Sequence, residues 1–177
     1  LIVGLMGEFF ARKRKQPATI FVVPGIVPLV PGYGLYYSML KILEKDYQKA
    51  IELEPKNKKV YYNYGTMKFM QKDYYEAIAQ FTKVVMLDPE DAYAFNDRGS
   101  CYRMLEKYSL AVKDYQEAAR KNPKLTFVLN NMGTTQTKLK MYSDALTSFN
   151  QALLVDPNFY LAYNNRGVTH MEMGRVD

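Results

Sequence analysis

The polar residues best suited to chemistry in this chain stand on a fixed beat. Asn63, Asp97, Asn131 and Asn165 follow one another at intervals of 34 residues, and Asn96, Asn130 and Asn164 each precede a member of that row. A side-chain amide offers two N–H donors and a carbonyl acceptor, the complement of a peptide backbone, whereas an ionised Asp97 can only accept. Such a row would hold an extended chain. Use of the same amides in turns or on water is the competing expectation.

Groups that break bonds or ligate metals are scarce. The 177 residues include one Cys, one His and no Trp. A single Cys forms neither an internal disulfide nor a Cys-based zinc or iron–sulfur site. Cys101 is expected to be a buried thiol beside Tyr102. His170 is expected to be a core-facing packing residue, because it takes the place of Tyr102 two blocks later. Neither has the Ser, Cys or carboxylate neighbours of a catalytic constellation. Asp88-Pro89 and Asp156-Pro157 read as helix-ending turns. Gly32 and Gly34 lack the spacing and the Lys-Ser/Thr ending of a phosphate loop. No enzymatic activity, cofactor or metal is expected.

Charge narrows the partner. The total of +6 divides evenly: residues 1–57 hold eight basic and five acidic side chains, and residues 58–177 hold sixteen and thirteen. The one dense basic run is Arg12-Lys13-Arg14-Lys15. A nucleic-acid surface needs a basic stripe repeated along one face, so no nucleic-acid partner is expected.

Two regimes must position these residues. Gln16–Leu40 carries no charge, which suits a membrane segment in length and hydropathy. Pro17, Pro24, Pro28 and Pro31 forbid a straight helix there. A broken membrane segment or a Pro-rich loop with a buried strand are the two readings of residues 1–35. The basic run behind LIVGLMGEFF suits a membrane helix ending on the cytoplasmic side. Residues 36–57 read as a junction helix.

From residue 58 the chain repeats. Gly65, Gly99, Gly133 and Gly167 share the 34-residue beat, as do Pro55, Pro89, Pro123 and Pro157. A small residue recurs at Ala77, Ala111 and Ala145, a large one at Phe81, Tyr115 and Phe149, and an opening apolar residue at Tyr61, Phe95, Leu129 and Tyr163. These blocks resemble tetratricopeptide repeats, helix-turn-helix units stacked in a right-handed solenoid. The resemblance implies an all-α fold with units at 58–91, 92–125 and 126–159 and a truncated fourth at 160–177. Val84 stands where later blocks carry Ala118 and Ala152, which predicts looser packing in the first. The YQKAIELEP stretch before residue 58 resembles a second helix of the same kind, although Pro31 and Gly32 stand where its first helix would be.

In the resembled fold the row from Asn63 to Asn165 faces a concave groove, with Tyr62, Tyr93 and Phe127 as apolar walls. The implied function is a non-catalytic scaffold that binds an extended peptide. Some members bind a C-terminal carboxylate through Lys and Arg; the matching positions here are Tyr62, Thr66, Asp97, Phe127 and Asn131, none of them basic. A neutral peptide, or one tolerating Asp97, is the expected ligand. The apolar face of the last helix has no second helix behind it, so a longer parent chain or self-association is expected to cover it.

The opening stretch resembles a second family. Pro17-Ala18-Thr19, Val23-Pro24-Gly25 and Pro28-Leu29-Val30-Pro31-Gly32, with DYQKAIE after them, are similar to the smaller membrane domain of threonine/serine exporters. That resemblance covers residues 1 to about 53 and implies membrane association, with the repeats as an appended cytoplasmic domain.

Overall fold

The computed structural model describes residues 33–174. The chain divides into two compact units, Leu1–Glu52 and Leu53–Asp177. In the first, one helix is described, α1 (Tyr33–Leu53). It leaves Met39, Ile42 and Leu43 at the surface. The rest of the expected hydrophobic segment lies outside the described residues. No described helix is long and apolar enough to cross a membrane.

The second unit is a run of helices of nearly equal length. Helices of 13 or 14 residues follow one another as α2 (Lys58–Met70), α3 (Tyr74–Leu87), α4 (Ala92–Met104), α5 (Tyr108–Lys121), α6 (Thr126–Lys138), α7 (Tyr142–Val155) and α8 (Tyr160–Met173). Each packs on the next, and the first helices also meet across units, α4 with α6 and α6 with α8. This is an all-α helix-turn-helix stack.

The turns are cut to one pattern. Lys72, Glu106 and Lys140, again 34 apart, adopt left-handed backbone with φ of 63°, 57° and 59°. That conformation reverses the chain and returns orphan carbonyls to use: Asp73 N–H reaches Lys68 O at 3.0 Å, and Lys107 N–H and Met141 N–H repeat the bond at 2.9 Å to Tyr102 O and Gln136 O. Asp73 then caps α3 through Glu76 N–H, and Asn57 and Asp91 cap α2 and α4. Lys107 and Met141, at the place of Asp73, give no side-chain cap.

The glycine beat has a steric cause. A Cβ added at Gly65 or Gly99 would lie 3.0 Å from the ring of Phe81 or Tyr115, and one at Gly133 would lie 2.7 Å from Phe149. Phe81, Tyr115 and Phe149 are in turn fully buried, with Ala77, Ala111 and Ala145 beside them. Burial of each such ring contributes about 1.5–3 kcal/mol. Val84 is fully buried, like Ala118 and Ala152. The first repeat thus shuts its larger residue away from solvent as completely as the later repeats shut away alanine.

At α8 the pattern changes. A Cβ at Gly167 would meet nothing within 4 Å. Tyr163, on the beat of buried Tyr61 and Phe95, is 50% exposed, and His170 is exposed rather than core-facing. Both depart from expectation for one reason: α7 covers α8 on one side, and among the described residues no second helix covers the other.

Candidate functional site

The first helices α2, α4, α6 and α8 carry the polar row, because residues 34 apart fall at the same turn of successive units. Two columns stand side by side on them: Tyr62, Asn96, Asn130 and Asn164, then Asn63, Asp97, Asn131 and Asn165. The columns are cross-linked. Tyr62 donates its hydroxyl to Asp97 Oδ2. Asn131 Nδ2 donates to Asn96 Oδ1 at 3.1 Å, and Asn165 Nδ2 to Asn130 Oδ1 at 2.9 Å. Each bond therefore joins a residue of the second column to the first-column residue of the repeat before, with Tyr62 donating forward and Asn131 and Asn165 donating back.

Within a repeat the neighbours also join. Asn96 Nδ2 donates to Asp97 Oδ1 at 2.9 Å, and Asn164 Nδ2 to Asn165 Oδ1 at 3.3 Å. Asn96 and Asn130 are buried. Asn165 gives a further bond to Thr134 Oγ1 at 3.4 Å. Asn131 keeps one N–H and its Oδ1 unused among the described residues, and exposed Asn63 keeps its whole amide.

Burial raises the Asp97 carboxyl above its ordinary range; bonds from Tyr62 and Asn96 oppose this, and the nearby Asp91 charge adds to it. The Tyr62 hydroxyl is pushed up too, first by burial and then by its bond to Asp97. Below the row, burial and the Asp97 charge push the Cys101 thiol up to about 12. A fully buried thiol of that kind is inert at neutral pH.

A third column, missed in part by sequence reasoning, completes the face: Lys59, Tyr93, Phe127 and Leu161 share the same beat. Tyr93 and Phe127 stack with ring centroids 6.0 Å apart. Tyr62 meets Phe81 edge-on at 5.6 Å. Tyr62, Asn63 and Tyr93, with Lys58, Lys59, Val84 and Asp91, line a cavity of about 260 Å³. Lys58 Nζ is held at 2.5 Å from Asp88 and 3.0 Å from Asp91, which raises its pKa. The 34-residue beat itself would have found Lys59, had it been read from Tyr93 backwards.

An ion pair between half-buried Arg98 and buried Asp114 fixes the helix that bears Asp97. Arg98 Nε and Nη2 donate to Asp114 at 2.8 and 2.7 Å, and Nη1 reaches Thr82 Oγ1 at 3.2 Å. This two-pronged geometry ties α4 to α5 ahead and α3 behind.

Comparison with known proteins agrees with this architecture. Solved structures similar to the chain include YrrB, a TPR protein with an unusual peptide-binding site, at 27% identity and TM-score 0.65, covering 81% of this chain and 75% of that one. The first TPR of Spaghetti (RPAP3) bound to an HSP90 peptide is 26% identical with TM-score 0.63, covering 66% of this chain and 93% of that one. The first TPR domain of human RPAP3 is 25% identical with TM-score 0.64, covering 67% and 93%. No curated protein matches the chain. Residues 1–57 match the model of the threonine/serine exporter ThrE. One tetratricopeptide repeat model matches residues 92–125 and 127–159, and a second matches residues 46–79. With the glycine notches, the repeated turns and the alternating helices, these matches show that the chain carries a tetratricopeptide repeat region.

Proposed function

We propose that the second unit is a non-catalytic scaffold that holds an extended peptide along the groove face of α2, α4, α6 and α8. The observation that carries this is the unspent hydrogen-bonding capacity of Asn63 and Asn131 in a row whose other amides already brace one another. Tyr93 and Phe127 flank that row with an apolar wall. The bound peptides of similar structures support the reading: the RPAP3 relative holds an HSP90 peptide. Here no basic residue stands at the carboxylate-binding positions, so the ligand is a neutral segment. The repeats are taken as 58–91, 92–125, 126–159 and 160–177, stacked right-handedly, in the cytoplasm. The exposed face of α8 adds association between copies.

The test is binding of a peptide library to the full chain. Asn63→Ala removes no bond within the protein, so it lowers affinity while thermal stability stays unchanged. Asn63→Ala with Asn131→Ala weakens binding by about 1–3 kcal/mol. Unchanged affinity in the double variant would overturn the groove assignment.

A second reading rests on the exporter match over residues 1–57. In it, these residues anchor the repeats at a membrane as part of an amino-acid exporter. Threonine and serine efflux from cells expressing the chain tests it, and absence of transport removes the exporter part.

A further inference from the structure

The cavity of the first repeat has its acids spent and one cation left over. Lys58 lines it, but its ammonium is held by Asp88 and Asp91. Asp91 also caps α4, accepting from Ala94 N–H at 3.1 Å. Asp97 takes its bonds from Tyr62 and Asn96. Lys59 is different. It is exposed, it bonds Asn57 through its backbone N–H, and its ammonium has no ion pair among the described residues. Counted with Asp88 and Asp91, the two lysines leave the cavity balanced in charge. Its walls are apolar: Tyr62, Val84, Tyr93 and the methylene stems of the lysines.

Lys59 also interrupts a column. The residues 34, 68 and 102 positions after it are Tyr93, Phe127 and Leu161, all apolar. Tyr93 gives one side of its ring to Phe127 of the next repeat, 6.0 Å between centroids, and lines the cavity with the repeat before. The stack therefore stops at an opening of about 260 Å³, with an ammonium at its far side. A ring entering there continues the stack on Tyr93 and presents its face to Lys59. An ammonium within about 6 Å of a ring centroid is attracted by that face. Lys107 already sits 5.1 Å from the ring of Tyr75 in this way. An acidic side chain would pair with Lys59 but bring its charge to Asp91 and to apolar walls. An aliphatic one would suit the walls and give the ammonium nothing. Asn63, with its whole amide unspent, follows Lys59 by one helical turn on the same face of α2.

We propose that this cavity seats an aromatic side chain of the bound peptide between the ring of Tyr93 and the ammonium of Lys59. Asn63 then holds the backbone of the same residue, and the chain runs on toward Asn131. This deepens the groove reading above and rests on it. It makes the ligand an uncharged segment anchored by one Phe, Tyr or Trp.

Selection of random-sequence peptides on the full chain, followed by fluorescence anisotropy of those recovered, tests the seat. Binders carry an aromatic residue at one shared position. Replacing it with cyclohexylalanine, which keeps the bulk without the π face, weakens binding about three- to fivefold. Lys59→Met keeps the stem and removes the charge. It weakens the aromatic peptide by the same factor and leaves the cyclohexylalanine peptide unaffected. Circular dichroism of this variant matches wild type, because Lys59 is exposed. Binders that share an acid or no aromatic residue overturn the seat, as does a Lys59→Met that weakens both peptides equally or neither. The groove is judged separately, on Asn63→Ala with Asn131→Ala. Weakened binding in that double variant beside an unmoved Lys59→Met removes only the seat; no change in either removes both.

Discussion

Gly133 and Gly167 occupy the same place in consecutive repeats and yet face opposite consequences of gaining a methyl group. At Gly133 the new Cβ would sit 2.7 Å from Phe149, so ring or helix must shift, at a cost of about 1–3 kcal/mol. At Gly167 the space is open and a helical alanine gains about 0.5–1 kcal/mol over glycine. Chemical denaturation should therefore show Gly133→Ala less stable than wild type and Gly167→Ala slightly more stable. Asp97 makes a second residue-scale prediction. Its pKa is higher in the folded chain than in the unfolded one, because burial disfavours the ion. Its contribution to stability is therefore fully present below the unfolded pKa and is lost as pH rises through the folded one. The stability difference between Asp97→Asn and wild type, followed across the acidic range, should grow in favour of the variant as pH rises. Asp88 and Glu117, whose ion pairs lower their pKa, work with the opposite sign in both proteins and cancel in that difference.

Helices are where the sequence was most readable. Spacing of Gly65, Gly99 and Gly133 and of Phe81, Tyr115 and Phe149 marks both partners of each notch, because close helix approach demands a residue without Cβ. The ladder was half legible. Its members could be named, but bonds that slant from Asn131 to Asn96 and from Asn165 to Asn130 depend on the offset between successive helices, which no periodicity encodes. Exposure of His170 and Tyr163 was illegible for a related reason: a shared beat predicts equal burial only where equal neighbours follow. The turns are the least optimised elements. Lys140 holds a φ of 59° that glycine adopts without penalty, and Met141 leaves the start of α7 uncapped. Lys140→Gly should stabilise by about 1 kcal/mol, and Met141→Asp by about 0.5–2 kcal/mol through the cap that Asp73 already supplies to α3. Thermal melts of each variant measure these gains.

At the scale of the second unit, the main contacts among the described residues run between successive helices and between first helices of adjacent repeats. Stability in such an array is a sum of local terms and neighbour interfaces, without a single centre. The bare notch at Gly167 then governs the order in which the array comes apart. With no aromatic ring locking it, α8 opens most readily, and opening proceeds inward past the Phe149 and Tyr115 locks in turn. Amide hydrogen exchange should register a gradient: fastest in α8, slower in α6 and α7, slowest in α4 and α5, whose notch, ion pair and neighbours on both sides are complete. Uniform rates from α4 to α8 would show that the repeats open together. A gradient would make the open notch at Gly167 a timer, setting how long α8 stays docked on α7 between openings.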